Sequence, residues 1–386
     1  MSYIDKIYVA SEVLGNKYTQ KIINHYENVE INELAGNRIN ELQRDYEKQK
    51  GILFLKKSKG EIVQGCPGTD ENYLCCKYQV INQTLNCPLN CSYCILQHYL
   101  DVPNVIYTDF ENIFAELSRK LEKQPDRFFR IGTGELGDSA ALYGSRLFAK
   151  ELMTRFSDRE NLLLEFKTKS MHVEPIINTP HEGKVVISWS LNPDLIARKE
   201  ESKASPILDR LKAAREAYQN GFLVGFHFDP ILEWNNWEEL YTNLIDKMYN
   251  NVPPEKIAWI SMGSLRFPSD NKLEIENRYP HSKIVYSEMI RGHDNKLRYL
   301  RPLRVSLYKT IYKKLTEVNH EPFIYFCMEN ETVWKEVMDF APRNNSHLDY
   351  LFAKSLYRRF DDIVSKPPQF KYYKNALDLD GTHFHK

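Results

Sequence analysis

The chain has 386 residues, of which 42% are hydrophobic and 27% charged, and its 52 basic residues balance its 52 acidic ones. This composition is typical of a folded globular protein with one large or two smaller domains, and its zero net charge excludes a cationic field over the whole molecule. The N-terminal residues lack the basic segment and apolar core of a signal peptide, and no apolar run approaches the roughly 20 residues of a membrane span, so we expect a cytoplasmic protein.

Residues 1–75 are predicted to form an N-terminal addition of helix and strand. A charged stretch typical of helices, KIINHYENVEINELAGNRINELQRDYEKQKG, leads into a strand-like run, GILFL, and then a Gly/Pro turn, GCPGTD. We expect this segment to pack against the main domain as an appendage.

Residues 76–290 alternate between apolar runs of strand length and amphipathic helical stretches. The strand candidates are KYQVIN, RFFRIG, LLLEFKT, VVISWS, FLVGFHF and IAWISM. The helix candidates between them include FENIFAELSRKLEK, SAALYGSRLFAKELMTRF, PILDRLKAAREAYQNG and NWEELYTNLIDKMYNN. This alternation predicts an α/β fold whose parallel sheet is closed or nearly closed into a six-stranded TIM-like barrel. Functional side chains would then lie at the carboxyl ends of the strands.

Residues 291–386 are predicted to form a C-terminal addition of a basic segment and helices. They begin with the basic aromatic stretch RGHDNKLRYLRPLR and continue with a helix candidate, VSLYKTIYKKLTEV, and a strand candidate, FIYFCM. No internal repeat or low-complexity segment occurs in the sequence.

Six of the seven cysteines fall in one short segment, and three of them, Cys87, Cys91 and Cys94, form a C-x3-C-x2-C arrangement after the first barrel strand. Three thiolates on one loop can each bind one iron of a [4Fe-4S] cubane, which leaves the fourth iron open. That iron can chelate the methionine group of S-adenosylmethionine (SAM), whose reductive cleavage gives a 5′-deoxyadenosyl radical. The alternatives are a zinc site or incidental cysteines. The other cysteines are expected to be small buried side chains.

The cysteine motif resembles that of the radical SAM superfamily, and its extension resembles the spore photoproduct lyase family of DNA repair enzymes. The similarity runs from about residue 77 to residue 304 and recurs in order as CSYCILQ, FKTKS, WSLNPD, GFHFDPI and NWEELY. It implies a partial (β/α)6 barrel of the radical SAM type, with N- and C-terminal helical additions and the cluster at its mouth. It also implies a [4Fe-4S] cluster and SAM as cofactors, and an electron donor such as flavodoxin or ferredoxin.

The resemblance assigns residues at the ends of the predicted strands to SAM. Glycines would allow close backbone approach, a glutamate would accept a hydrogen bond from the methionine ammonium, and a lysine would contact the carboxylate. A serine and an asparagine would bond the ribose hydroxyls or the carboxylate. These residues are Gly132, Gly134, Glu135, Lys169, Ser190 and Asn192. From the residues alone, GTGE also fits a tight turn, and the others fit solvent-facing positions on strands.

The sequence departs from the family in the part that quenches the substrate radical. The family uses a cysteine after the second strand as hydrogen donor, and the corresponding stretch, RIGTGELGDSAALYG, contains none. Tyr93 matches one tyrosine of the family's relay, whereas Ile95 stands where the family has another tyrosine. Asp138 and Ser139 occupy the neighbourhood of the missing cysteine and are candidates to bind substrate; for Ser139, the N-cap of the next helix is the favoured alternative. We therefore take Tyr93 and Asp138 as candidate catalytic residues. This departure favours a relative that acts on another substrate or another DNA lesion.

The basic stretch near the C-terminus is the candidate nucleic-acid contact. In the family a basic aromatic hairpin approaches DNA at this position, which implies phosphate contacts for Lys296, Arg298 and Arg301 and base stacking for Tyr299. A solvated basic turn is the alternative. The sequence thus predicts a radical SAM enzyme that acts on a nucleic-acid base. Radical modification of a protein, peptide or small metabolite is the alternative enzymatic function, and a structural iron-sulfur or zinc protein is the non-enzymatic one.

Overall fold

A computed structural model describes residues 3–35, 46–66, 72–318 and 322–374. The strands are β1 (Lys6–Ala10), β2 (Glu30–Leu34), β3 (Ile52–Lys56), β4 (Val63–Gly65), β5 (Gln79–Ile81), β6 (Thr84–Leu85), β7 (Asn104–Tyr107), β8 (Phe129–Thr133), β9 (Leu162–Thr168), β10 (Val185–Ser190), β11 (Leu223–Ile231), β12 (Ile257–Ser264), β13 (Arg266–Pro268), β14 (Met289–Arg291), β15 (Lys296–Tyr299) and β16 (Phe323–Phe326). The helices are α1 (Lys17–His25), α2 (Tyr46–Lys50), α3 (Leu96–Tyr99), α4 (Phe110–Glu122), α5 (Tyr143–Phe156), α6 (Glu174–Ile177), α7 (Asp194–Glu200), α8 (Ile207–Gln219), α9 (Trp237–Asn251), α10 (Asn271–Arg278), α11 (Arg301–Leu315), α12 (Glu331–Met338), α13 (Asn345–Arg359) and α14 (Lys371–Lys374).

The main sheet has eight strands in the order β16-β12-β11-β10-β9-β8-β5-β4, and within the described residues β4 is its antiparallel member. The six predicted barrel strands are β5 and β8 to β12, so the predicted partial (β/α)6 barrel is confirmed. The strand VVISWS is buried at every position, as expected for a parallel strand covered on both faces. This curled sheet brings the carboxyl ends of its parallel strands to one edge.

A second sheet, in the order β2-β1-β3-β7-β6, contains most of the N-terminal region. The strand predicted from GILFL is confirmed as β3, but the charged stretch before it is not helical throughout. After α1, Asn28 adopts a left-handed φ of 66°, and β2 then pairs in parallel with β1. Residues 36–45 of the same stretch lie outside the described residues.

The proposed domain boundary at residue 75 stays a prediction. Strands β6 and β7 follow this position in the chain but join the N-terminal sheet. Hydrogen bonding across the sheet, which the sequence pattern does not reveal, places them there. Between residues 81 and 129 the chain therefore leaves the main sheet after β5, adds β6 and β7 to the N-terminal sheet, and returns to the main sheet at β8.

A third sheet, β13-β15-β14, is antiparallel and precedes α11. Helix α11 begins at Arg301, earlier than predicted, with Pro302 in its first turn, where proline's missing N–H costs nothing. The strand predicted from FIYFCM is confirmed as β16, which pairs in parallel with β12 and extends the main sheet. Within the described ranges, no helix combines the length and the apolar character needed to cross a bilayer.

Candidate functional site

A cavity of about 690 Å³ opens at the carboxyl ends of the main-sheet strands. Its walls come from the chain before β5, from the segments after β6 and β8, and from the ends of β9, β10, β11, β12 and β16. All seven cysteines, each within the described residues, line it: Cys66, Cys75, Cys76, Cys87, Cys91, Cys94 and Cys327. The expectation that four of them are merely buried apolar side chains therefore misses their shared position at this cavity.

The loop that carries Cys87, Cys91 and Cys94 is anchored at its start by a buried lysine. Lys50 Nζ donates to the side-chain oxygen of Asn86 and to the Cys87 carbonyl, both at 2.8 Å. Asn86 also accepts a hydrogen bond from the Cys87 N–H at 2.8 Å, and its φ of 64° turns the chain toward the cavity. These contacts hold the first cysteine of the loop at the cavity wall.

The chemistry of this donor set fits an iron-sulfur cluster. Burial raises the pKa of the Cys87 thiol well above its ordinary value and raises that of Cys91 to about 12. Such thiols ionise when a metal supplies positive charge. Among the described residues, no three His, Cys, Asp or Glu side chains are arranged to hold a single metal ion. A cubane does not need that convergence, because it uses one thiolate for each of three irons.

Tyr93 of this loop and the neighbouring Lys169 line the cavity, and both contact the buried carboxylate of Glu201. Lys169 Nζ lies 3.4 Å from Glu201 Oε1, and the Tyr93 hydroxyl donates to the same oxygen. Arg210 forms an ion pair with the other carboxylate oxygen. Burial opposes ionisation of Glu201, but Arg210 and then Lys169 outweigh it and lower its pKa to about 2. Neither Glu201 nor Arg210 belongs to a sequence motif used above.

The glycines of GTGE have different roles. Gly134 has a φ of 92°, and an added Cβ would lie 2.6 Å from the Lys167 carbonyl, so only glycine fits this turn at the cavity wall. Gly132 lies within β8, where a Cβ would lie 1.8 Å from the Tyr78 hydroxyl. Gly132 is therefore required by packing within the barrel. Glu135 reaches the cavity, where Lys167 Nζ is 3.4 Å from its carboxylate.

Ser190 lies at the cavity surface, whereas Asn192 lies behind it. Ser190 lines the cavity, and its carbonyl accepts a hydrogen bond from Arg210 at 2.8 Å. Asn192 is fully buried, donates to Glu201 at 3.2 Å and accepts from the Tyr241 hydroxyl at 2.9 Å. Its side chain is thus engaged behind the cavity wall, which favours support of Glu201 over direct contact with SAM.

Asp138 lines the cavity, but its carboxylate is already engaged. One oxygen accepts hydrogen bonds from the N–H groups of Ala140 and Ala141 at 2.9 and 2.8 Å and from the Thr168 hydroxyl at 2.6 Å. The other accepts the Lys169 N–H at 2.9 Å. These contacts favour holding the loop after β8 over a catalytic role. The prediction that Ser139 is the N-cap of the next helix is wrong, because α5 begins at Tyr143 and its N-cap is Leu142, which makes no side-chain capping bond.

Two of the residues predicted to contact nucleic acid, Arg298 and Tyr299, are buried. Arg298 is 3% exposed and makes a bidentate ion pair with Asp294, both distances being 2.8 Å. Tyr299 is fully buried, and its hydroxyl accepts a hydrogen bond from the Glu233 N–H at 3.1 Å. As neighbours on β15, Arg298 and Tyr299 lie on opposite faces of the sheet, and both are buried, so both faces are covered at this end of the strand.

The other two predicted contacts remain accessible. Lys296 lines the cavity and lies 3.7 Å from Asp294. Arg301 is more than half exposed and lies 3.8 Å from Glu336.

A second polar network lies deeper, at the floor of the cavity. Glu165 accepts hydrogen bonds from the Ser188 hydroxyl at 2.6 Å and from His227 Nε2 at 2.9 Å. His227 Nδ1 lies 2.7 Å from the Ser261 hydroxyl. Burial opposes ionisation of Glu165, but the bond to His227 and its charge lower its pKa to about 2. The residues come from four adjacent strands, and although the motif GFHFDPI contains His227, no local motif connects it with the other three.

Comparisons with known proteins agree with this geometry. The family model described as spore photoproduct lyase matches residues 3–330. The spore photoproduct lyase of Bacillus subtilis (strain 168) is 25% identical over 289 residues, or 73% of this chain and 84% of that protein. The protein of the same name from Geobacillus sp. (strain Y412MC61) is 25% identical over 293 residues, or 74% of this chain and 83% of that protein.

Solved structures have the same fold. A spore photoproduct lyase complexed with dinucleoside spore photoproduct superposes with a TM-score of 0.73 at 19% identity, covering 84% of this chain and 100% of that one. A double mutant with bound AdoMet and dinucleoside spore photoproduct gives 0.74 at 20% identity, covering 84% of this chain and 98% of that one.

Proposed function

Because the chain belongs to the spore photoproduct lyase family, we propose that it cleaves SAM reductively in order to act on a nucleic-acid base. It is a radical SAM enzyme, and its cofactors are a [4Fe-4S] cluster and SAM. The observation that carries the proposal is that one cavity is lined by Cys87, Cys91 and Cys94 together with Lys169 and Glu135. This arrangement puts the cluster ligands beside a positive and a negative side chain, which suit the carboxylate and the ammonium of an amino-acid group.

The chain's own residues would bind and orient the cofactors. When bound, the cluster and SAM supply a carbon-centred radical that can take hydrogen from a substrate carbon. The three cluster cysteines would hold the iron, Lys169 would orient a carboxylate, and Glu135 would accept hydrogen bonds from an ammonium group. The cavity wall also includes apolar side chains of the cluster loop and α3, among them Leu89 and Leu96, which exclude water from the reacting groups.

Part of the proposed nucleic-acid surface differs from the sequence prediction. The exposed basic side chains around the third sheet are Arg291 on β14 and Lys283 before it, and Lys283 Nζ lies 5.2 Å from the ring centroid of the exposed Tyr286. Arg301 extends this surface, and Lys296 on the adjacent strand reaches the cavity. We propose that this group contacts phosphates and a base where nucleic acid enters the cavity.

Reduction requires a one-electron donor, for which we propose flavodoxin or ferredoxin. We also propose that the reaction takes place in the cytoplasm. The stretch after β8 has no cysteine at the position of the family's hydrogen donor, so we propose another hydrogen donor and another substrate or DNA lesion. The proposal is therefore limited to a repair-like reaction on a base.

The test is anaerobic reconstitution followed by reduction in the presence of SAM. The enzyme is incubated with ultraviolet-irradiated DNA, with untreated DNA and with RNA, each carrying deuterium on the bases. We expect deuterium in 5′-deoxyadenosine from at least one nucleic acid. If no nucleic acid transfers deuterium to 5′-deoxyadenosine but a labelled peptide or metabolite fraction does, the result would instead support a protein, peptide or small metabolite as the substrate.

A further inference from the structure

The end of α7 contacts the cluster loop along the backbone. The Ser92 N–H donates to the Glu200 carbonyl at 2.9 Å, and the Ser92 hydroxyl donates to the Glu200 carboxylate. The preceding loop residue, Cys91, forms an isolated antiparallel bridge with Glu201. Residues 200 and 201 therefore hold the loop at the position of its second cysteine.

The Glu201 side chain extends this contact to the end of β9. Its carboxylate is fully buried and accepts the Tyr93 hydroxyl from the cluster loop. The same carboxylate lies 3.4 Å from Lys169 Nζ, which comes from the chain just after β9. Tyr93 and Lys169 line the cavity, whereas Glu201 lies behind its wall. One carboxylate thus connects the cluster loop with the lysine proposed to bind SAM.

The charges in this network explain why Lys169 can still bind an anion. Glu201 pairs with two cations, Lys169 and Arg210, so one positive charge is not balanced within the group of three. The Arg210 side chain is 1% exposed and that of Lys169 is 14% exposed, so the cation that meets the cavity is the lysine. An anionic ligand group in the cavity can use this charge.

We propose that Glu201 is a positioning residue that fixes Lys169 relative to Tyr93 and the rest of the cluster loop, so that SAM and the cluster meet in one geometry. The inference rests on the proposed function, because it takes the anionic ligand group to be the SAM carboxylate. Glu201 acts through Lys169 and Tyr93 and has no contact with the cavity itself.

The test compares Glu201→Gln with the matched control Asp349→Asn. Asp349 forms another buried ion pair, with Arg127 at 2.9 Å, and both residues lie away from the cavity lining. We expect both reconstituted variants to retain iron. The Kd of SAM should rise about tenfold or more in Glu201→Gln, and the change that SAM causes in the electron paramagnetic resonance (EPR) spectrum of the reduced cluster should weaken. Asp349→Asn should show neither effect, and Glu201→Asp should recover part of the affinity.

Unchanged SAM affinity in folded Glu201→Gln would overturn the inference. Tighter SAM binding would also overturn it, because Glu201 would then act only by competing for the charge of Lys169. If Glu201→Gln does not fold, the inference is tested by a double-mutant cycle of Tyr93→Phe and Lys169→Met in the otherwise unchanged enzyme. Non-additive effects on SAM affinity support the connection through Glu201, and additive effects contradict it. If the unchanged enzyme binds no SAM, the proposed function itself fails.

Discussion

Asp138 was predicted to be catalytic, and its contacts allow a direct test of that role. Asp138→Asn keeps the shape of the side chain and one acceptor oxygen, but it turns an amide NH2 toward the Lys169 N–H, which now donates to the carboxylate at 2.9 Å. The variant loses charge assistance in three other hydrogen bonds, with distances of 2.6 to 2.9 Å. One orphaned buried N–H costs about 1–3 kcal/mol, so with the weakened bonds we expect a total loss of about 2–4 kcal/mol.

The assay is urea denaturation of the apo-protein, combined with the Kd of SAM after reconstitution. Ser139→Ala is the control, because it removes one hydroxyl contact in the same loop, to Thr133 at 2.6 Å, and should cost about 1 kcal/mol. A stability loss in Asp138→Asn together with weaker SAM binding would indicate that Asp138 holds the loop after β8 in place. The reasoning is refuted if Asp138→Asn is as stable as the unchanged protein, binds SAM normally and has no turnover, since that result would identify a catalytic group.

Three further predictions concern charge. Folding lowers the pKa of Glu165 to about 2, from about 4.3 in the unfolded chain. The ionised carboxylate should therefore stabilise the fold fully above about pH 4.3, and this stabilisation should disappear as the pH falls toward 2. In Glu165→Gln, the free energy of unfolding should depend less on pH over that interval. In the double variant Lys283→Ala/Arg291→Ala, the slope of log affinity against log salt for DNA should fall by about 2 in magnitude, whereas Arg298→Ala should lower stability and leave the slope unchanged. Lys169→Ala should weaken SAM binding by about 1.5–3 kcal/mol without loss of iron, as measured by equilibrium dialysis.

The barrel strands and the cluster loop could be predicted because their signals are local. Each barrel strand is rich in apolar residues, and the three cysteines are close in sequence. The edge strand β2 could not be predicted, because its residues EINEL are polar and mostly exposed, and its pairing with β1 depends on tertiary structure.

The contacts that define the site are mostly long-range. Glu201 is 108 residues from Tyr93 and 32 residues from Lys169, and no motif connects them. Arg298 looked like a phosphate ligand from its basic neighbours, but the acidic residue four positions earlier, Asp294, pairs with it inside the fold. Sequence reasoning therefore found the residues at the cavity wall more readily than the buried residues that hold them.

The central claim is that Cys87, Cys91 and Cys94 hold a cluster that cleaves SAM, and it is tested most directly by iron content and 5′-deoxyadenosine formation in single alanine variants. The reconstituted, reduced enzyme should contain about four irons per chain and form 5′-deoxyadenosine from SAM. Each of the three variants should lose both properties, whereas Cys327→Ala, which changes another cysteine of the same cavity, should retain both. A Cys91→Ala enzyme with normal iron content and normal 5′-deoxyadenosine formation would contradict the claim.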